Sequence, residues 1–453
     1  MDRRYKDENL KRAFEGEAFL LQDGATGTML QARGLFQEGR LPDLLTLENP
    51  QAITDIHRAF VDAGAQAVST DTFNSNALKL AGKASVEEVF DAAVRCARAS
   101  GARYIAADIG PAGELLAPWG DLSFNQAYGL FAEQVRAADR AGVDLFVIAT
   151  MSDILEMKAA VLAARENSDL PVIATMTFNR GGRSFLGVSP IAAALMLESL
   201  GVAALGINCS LGPADMVPIV QEMAAVTSTP LCVRPNAGLP HMEGGKAVYD
   251  VTPRDYVEAL GSIVASGASI IGGCCGMDPA FIEAAARFLE GKAPVRRERP
   301  AASRISAASA QRGVFFESEE EALRALQPVF DPCHDPGLCQ QAMAGDFRGV
   351  IDNAIDLAGD GAQLLGVCLG LPGFDEKEAL PALVGELQSM MHVPLCLAAN
   401  DPQALEAAVR IYAGKPLVAV KATESQATAA TEEVAAKYGC QTVRTTDRCP
   451  LSL

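Results

Sequence analysis

Histidine, tryptophan and positive charge are scarce in this chain of 453 residues. It has 4 histidines and 1 tryptophan, and its 38 lysines and arginines face 56 aspartates and glutamates, which gives a net charge of -18. Nucleic acids and anionic membranes are bound by basic surfaces, so this balance argues against both as partners. It favours solubility and says little more about function.

Long uninterrupted apolar runs are also lacking. The most apolar stretch, residues 191–207, is broken by Glu198, and no other stretch approaches a membrane span. The charged N-terminus has no apolar core, so we expect no signal peptide and a cytoplasmic location. The 11 cysteines are then expected to be reduced, and metal binding or catalysis has to be considered before disulfides.

A regular alternation of strand-like and helix-like segments is present instead. Eight short runs are apolar on both faces, as in strands buried in a parallel sheet, and Ala/Leu/Glu-rich helical segments separate them. The runs are residues 19–24, 65–73, 103–110, 144–150, 171–178, 203–210, 230–236 and 268–275. Eight such units predict an α/β fold with a (β/α)8 TIM barrel over residues 1–295. An open doubly wound sheet is the alternative, but no G-x-G-x-x-G opens the first helix.

The pattern changes after the eighth unit. Residues 296–313 are basic and then rich in alanine and serine, so we interpret them as a linker. Residues 314–453 contain four or five further α/β units, too few for a second complete barrel. They predict a partial barrel or a compact open α/β domain.

Three cysteines fall at predicted strand ends. Cys209 ends the sixth strand, and Cys274 and Cys275 end the eighth, among glycines that allow an unusual turn. The carboxyl ends of barrel strands meet at one mouth, where three thiolates would bind zinc and leave a fourth position open, the arrangement of catalytic zinc sites. The remaining cysteines in helices or strand interiors are expected in the core: Cys96, Cys232, Cys368 and Cys396.

The stretches DGATGTML (residues 23–30), INCSLGP and GGCCG resemble the homocysteine S-methyltransferase family. The likeness extends over residues ~15–290 and, within the family, to the homocysteine-binding barrel of the cobalamin-dependent methionine synthases. It implies zinc on the three cysteines and methylation of a small thiol, normally homocysteine. The substrate contacts that it implies or suggests are Asp23, Gly24, Ala25, Thr26, Asn208 and Asn236.

One departure concerns the substrate's amino group. The family usually has a glutamate after the fourth strand, where this chain has Ala149. A charge-assisted hydrogen bond of this kind is worth roughly 1.5–3 kcal/mol. Asp71 is a candidate replacement. Otherwise the acceptor thiol differs from homocysteine, its recognition has been rebuilt by other groups, or activity is lost.

The C-terminal region resembles the opening half of a methyltetrahydrofolate-binding barrel. The pterin-binding polar residues of that barrel are replaced, for example by Gly366, Ala398 and Ala419. We therefore expect no folate on this chain. A methylcobalamin donor would have to sit on a separate corrinoid protein, and a small sulfonium or ammonium donor is the alternative. The domain would serve for docking or for forming a homodimer.

Two other readings remain open. A chain that kept the fold and the zinc ligands could be a non-enzymatic, thiol-binding regulatory subunit. Cys275 could instead be a covalent nucleophile, although no histidine clearly accompanies it. Of the scattered histidines only His241 falls near the predicted mouth, where a solvated loop residue is the better interpretation. The segment from Cys333 to Cys339, with His334, fits a surface loop better than a second metal site.

Overall fold

A computed structural model describes residues 4–35, 39–239, 241–243, 246–297, 304–330, 336–370, 375–421 and 426–445. The chain divides into two compact units, residues 1–186 with 202–298 and residues 187–201 with 299–453. Within the described ranges no helix is long and apolar enough to cross a membrane.

The first unit is built on an eight-stranded parallel sheet. Its strands β1 to β7 are Leu20–Leu21, Ala67–Ser69, Tyr104–Ile109, Leu145–Met151, Val172–Met176, Ala204–Asn208 and Leu231–Arg234. A short antiparallel pair, β8 (His241–Glu243) and β9 (Lys246–Val248), precedes the last barrel strand, β10 (Ala268–Ile271). The order is β1-β10-β7-β6-β5-β4-β3-β2, and Gln22 bridges Ala67 to join its two ends. The predicted (β/α)8 barrel is confirmed, and the open doubly wound alternative is wrong.

Helices connect the strands. In chain order α1 to α12 are Glu8–Phe14, Thr26–Ala32, Leu45–Glu48, Pro50–Asp62, Ala77–Leu80, Val86–Ala99, Phe124–Ala141, Ile154–Asn167, Pro190–Ser199, Pro213–Ala224, Pro253–Ala265 and Pro279–Leu289, with a 3-10 turn at Pro42–Leu44. Local signals set several boundaries. Ser85 and Ser123 form capping boxes with Glu88 and Gln126, and Gly142 ends α7 with a φ of 87°.

The inside of the barrel is filled by small and aliphatic side chains. They include Leu20, Ala67, Ala106, Leu145, Val147, Ala149, Ile173, Ala204, Cys232 and Ile270, all buried in one cluster. Alternate residues of a strand share a face. The polar residues that come after the buried interior residues in each strand therefore lie at its carboxyl end. That end of the barrel is the mouth described below.

The second unit contains a five-stranded parallel sheet. Strands β13 to β17 are Leu326–Pro328, Leu364–Cys368, Leu395–Ala398, Leu417–Lys421 and Thr442–Thr445, and they pair in chain order. Its helices α13 to α18 are Glu319–Ala325, Pro336–Met343, Arg348–Gly359, Glu376–Met390, Pro402–Ile411 and Gln426–Lys437. The predicted partial barrel is confirmed. The helix that follows β5 in the chain, α9, clusters with this unit.

An antiparallel hairpin covers one face of the five-stranded sheet. It consists of β11 (Ile305–Ala308) and β12 (Gly313–Phe316). Its buried residues Ile305, Ala307, Val314 and Phe316 share one cluster with alternate sheet residues, among them Leu364, Ala398, Leu417, Ala419 and Val443. Part of the predicted linker 296–313 is therefore a strand, while residues 298–303 lie outside the described ranges. The predicted boundaries between the domains stay a prediction.

Candidate active site

Three cysteine thiols meet at the mouth of the barrel. The Sγ atoms of Cys209, Cys274 and Cys275 all lie within 4.8 Å of one another, and those of Cys209 and Cys275 are 3.9 Å apart. The first follows β6 and the other two follow β10, two strands that β7 separates in the sheet. In the described part of the chain this is the one group of three potential ligands from cysteine, histidine or carboxylate side chains.

The backbone reaches this arrangement by two devices. Cys209 has a φ of 60° and Ser210 a φ of 65°, a left-handed conformation that is uncommon for residues other than glycine. Of the three glycines beside Cys274 and Cys275, Gly276 has a positive φ, of 82°. We expected the same of Gly272 and Gly273, but Gly273 instead permits close packing, because a Cβ there would collide with Met277.

The spacing of the thiols fits a zinc ion. Thiolates bound to tetrahedral zinc at about 2.3 Å lie about 3.8 Å from one another. The 3.9 Å between Cys209 and Cys275 matches this value, and a set of soft sulfur ligands favours zinc over hard cations. Hydrogen bonding with Cys209, together with burial, raises the pKa of Cys274 to about 12. A metal ion would therefore have to displace the thiol protons on binding.

Asn208 orients one of the thiols. Its Oδ1 accepts hydrogen bonds from the Thr150 backbone and the Thr175 hydroxyl, both at 2.8 Å. Its Nδ2 donates to the Thr150 hydroxyl at 2.8 Å and lies 3.9 Å from the Cys274 sulfur. The amide group of Asn208, expected to contact substrate, is thus engaged with strands β4 and β5 and with Cys274.

Asp23 is also fully engaged. It is 0% exposed, and its carboxylate accepts hydrogen bonds from the backbone N–H of Ser69 at 2.7 Å and from the Ser69 hydroxyl at 3.0 Å. Arg234 donates to the same carboxylate at 3.1 Å and to the Gly273 carbonyl at 3.2 Å. Arg234 was not predicted. It links the substrate loop to the turn that carries Cys274.

The neighbouring residues of this loop, and Asn236, lie at the same end of the barrel. The Ala25 N–H donates to the Met277 carbonyl at 3.0 Å, and a Cβ on Gly24 would collide with that carbonyl. Thr26 begins helix α2, whose N-cap residue provides no capping side chain. Asn236 is 4% exposed, and its Oδ1 has no hydrogen-bond partner among the residues that the structure describes.

Two more carboxyl groups lie at the ends of adjacent strands. Asp108 belongs to β3, and Asp71 comes two residues after β2. Oδ1 of Asp108 and Oδ2 of Asp71 are buried and make no hydrogen bond within the described ranges. Burial raises the pKa of Asp108 to about 7 although Arg234 opposes the shift, and burial with nearby Asp43 and Asp108 also raises the pKa of Asp71.

Tyr249 is a mouth residue that the sequence did not indicate. A Cβ on Gly276 would run into the Tyr249 ring, so the ring packs directly on the turn after the cysteines. Burial, and then the nearby Cys275, Cys209 and Cys274 thiols, raise the pKa of Tyr249 to about 12. The segment is held in place because the Val251 N–H donates to the Ala237 carbonyl, and the Ala237 N–H donates to the Cys275 carbonyl.

Residues 20–289 match the model of the family described as homocysteine S-methyltransferase. The chain belongs to the homocysteine S-methyltransferase family. This membership places it among the methyltransferases. The match covers all eight strands of the barrel and all three cysteines of the mouth.

Two curated relatives of this family member are longer proteins. The methionine synthase of Mycobacterium tuberculosis is 31% identical over 422 residues, which are 87% of this chain and 35% of that protein. The methionine synthase of Mycobacterium leprae is 29% identical over 88% of this chain and 35% of its own length. The chain therefore spans about a third of these relatives.

Solved structures of the Escherichia coli homocysteine methyltransferase MmuM share the fold. Its oxidized form aligns with a TM-score of 0.53 and 23% identity over 62% of this chain and 99% of MmuM. Its metallated form gives a TM-score of 0.53 and 24% identity over the same shares. At this identity the likeness concerns the fold alone.

The other cysteines and histidines considered in the sequence analysis, where the structure describes them, lie outside the cluster of three thiols. Cys96, Cys232 and Cys396 are buried as expected, but the expectation of a core position is wrong for Cys368, which ends β14 and is partly exposed. His241 is exposed and lies 3.6 Å from Asp250. Cys333 and His334 lie outside the described residues.

Proposed function

We propose that this chain is a zinc-dependent thiol S-methyltransferase and that homocysteine is its acceptor. The observation that carries the proposal is the convergence of Cys209, Cys274 and Cys275 at the barrel mouth. These three residues would hold the zinc ion, which would keep the acceptor's sulfur as a thiolate and so prepare it to attack an electrophilic methyl group.

The protein's own residues would fix the geometry of the site. Asn208 holds Cys274 through its amide group. Arg234 holds the Gly273 carbonyl and, through Asp23, the start of the loop that leads to Thr26. That loop is where we place the carboxylate of the acceptor, since Thr26 opens a helix without a capping side chain. A preorganised site of this kind orients the acceptor without rearranging.

The methyl donor is proposed to be a separate corrinoid protein carrying methylcobalamin, or a small sulfonium or ammonium compound. We do not propose methyltetrahydrofolate bound to the second unit as the donor. At the pterin-binding positions this unit has Gly366, Ala398 and Ala419, which have no side-chain hydrogen-bonding groups. Its hairpin buries side chains against the sheet face that carries Ala398 and Ala419. We therefore propose that this unit has a docking or dimer-forming role.

Metal analysis combined with product detection tests the proposal. Purified protein should contain one zinc per chain and should form methionine from homocysteine when supplied with methylcobalamin-loaded corrinoid protein or a methylsulfonium donor. Cys275→Ala should lose both zinc and methyl transfer, whereas Cys339→Ser, a half-buried cysteine in α14, should lose neither. Unchanged zinc content in Cys275→Ala would refute the metal site. Thiol binding without turnover for every donor would instead support a regulatory, non-enzymatic role.

A further inference from the structure

The position that carries a carboxylate in the family is apolar in this chain. Ala149 is 3% exposed and belongs to the buried cluster inside the barrel. It offers no charge to the ammonium group of an amino acid. Asp23, the other expected partner, has no exposed surface and already accepts hydrogen bonds from Ser69 and Arg234. A substrate ammonium group therefore needs a different acceptor.

The pairing of β3 with β4 puts Asp108 next to this position. Asp108 pairs with Val147, and the preceding alternate residues Tyr104 and Ala106 belong to the same interior cluster as Leu145, Val147 and Ala149. Because successive alternate side chains share a face, Asp108 faces the barrel interior like Val147. Ala149 is the next interior position along β4, so the two side chains are neighbours at the mouth.

Asp108 has no hydrogen-bonded cation in the described part of the chain. Its Oδ1 is buried and unpartnered. Arg234, a buried cation at this end of the barrel, donates hydrogen bonds to Asp23, Ser69 and the Gly273 carbonyl. A carboxylate with one buried, unpartnered oxygen and no hydrogen-bonded cation is costly, and a cationic group of a ligand would lower that cost.

A second acceptor stands at the same end of the barrel. Asn236 follows β7 by two residues, and its unpartnered Oδ1 is buried in a residue that is 4% exposed. Three strands separate β3 from β7 in either direction around the barrel, so Asn236 and Asp108 lie on opposite sides of the mouth, and only Asp108 is next to position 149. A thiol without an amino group would leave the buried oxygen of Asp108 unpaired.

We propose that Asp108 binds the ammonium group of the acceptor in place of the family's glutamate at position 149. The inference rests on the proposed function and adds to it the residue that recognises the amino group of the acceptor. Asp108 is thereby a specificity-determining residue of the site.

Binding measurements separate this inference from the proposed chemistry. Calorimetry on the zinc-loaded full chain would compare homocysteine with 4-mercaptobutyrate, which lacks only the amino group. The wild type should bind homocysteine about tenfold to a hundredfold more tightly. Asp108→Asn should remove this preference by lowering the affinity for homocysteine alone. Ala149→Glu in the Asp108→Asn background should restore the preference. Asp71→Asn, a change at the end of the adjacent strand, is the matched control and should keep the preference.

Three results would overturn the inference. They are equal affinity of the wild type for the two thiols, an unchanged preference in Asp108→Asn, and loss of the preference in Asp71→Asn rather than in Asp108→Asn. Should Asp108→Asn not fold, Ala149→Glu in the wild-type background serves the same purpose. This variant should raise the affinity for homocysteine and leave the affinity for 4-mercaptobutyrate unchanged. A higher affinity for both thiols would contradict the inference. Failure of methyl transfer with the preference intact would count against the proposed function alone.

Discussion

Arg234 Nη2 lies 3.1 Å from Asp23 Oδ1, and this ion pair joins residues 211 positions apart in the chain. Both side chains are buried, with exposures of 7% and 0%. Arg234 also donates to the Gly273 carbonyl, one residue before Cys274. The pair therefore connects the end of β7, the loop after β1 and the turn that carries two of the thiols.

Breaking this pair on one side should destabilise the barrel. Arg234→Met leaves the Asp23 carboxylate buried without its cation, which should lower the free energy of unfolding by about 3–5 kcal/mol. Urea denaturation measures the change. The double variant Asp23→Asn with Arg234→Met should recover most of the loss, because no buried charge is left uncompensated. A double variant as unstable as the single one would show that packing rather than charge is responsible.

Gly24 should be required at the mouth although Gly27, three residues later, should not be. A Cβ on Gly24 would collide with the Met277 carbonyl, whereas a Cβ on Gly27 would meet nothing within 4 Å. Gly24→Ala should therefore shift the turn after Cys275, lower zinc occupancy and destabilise the fold by roughly 1–3 kcal/mol. Gly27→Ala lies in helix α2 and should be neutral or stabilise by about 0.5–1 kcal/mol. Metal analysis and thermal unfolding of the two variants give the comparison, and equal effects would contradict it.

Asp108 should make stability depend on pH between about 4 and 7. Its pKa is raised from 3.8 to about 7, so the folded state binds a proton more tightly than the unfolded state does. Ionisation of Asp108 therefore lowers the free energy of unfolding. This loss is absent below the unfolded pKa, grows as pH rises and is complete above pH 7. Asp108→Asn should thus stabilise the protein at pH 8, by about 1–4 kcal/mol, and have little effect at pH 4. Urea unfolding at both pH values measures this, and a stabilisation independent of pH would refute the assignment.

Tyr249 should tune the sulfur of Cys275 without holding the metal. Tyr249→Phe removes a hydroxyl near the Cys275 thiol that can donate to a thiolate there, but keeps the ring that packs on Gly276. Metal content should stay unchanged. In cobalt-substituted protein, the sulfur-to-cobalt charge-transfer band should move to lower energy, because a thiolate that accepts fewer hydrogen bonds is more electron-rich. Tyr128→Phe, on the outer helix α7, should leave the spectrum unchanged. Loss of cobalt in Tyr249→Phe would mean that the tyrosine is needed for metal binding.

The sequence by itself determined the eight barrel strands and the convergence of the cysteines. Strands buried on both faces leave continuous apolar runs, and the carboxyl ends of barrel strands always meet at one mouth. Cys209, Cys274 and Cys275 therefore had to come close together once eight units were counted. The partial barrel of the second unit followed from the same count.

Tertiary structure alone decided which polar groups are already engaged. Asp23 looked available to a substrate, but Arg234 and Ser69 occupy it, and Asn208 is engaged with Thr150, Thr175 and Cys274. Likewise β11, one strand of the hairpin on the five-stranded sheet, came from a segment that the sequence predicted to be a linker. Such contacts depend on strand order and register between residues far apart in the chain, whereas local periodicity reports only which face of a strand is buried. That is why the convergence of the three cysteines was predicted and the partners of Asp23, Asn208 and Tyr249 were not.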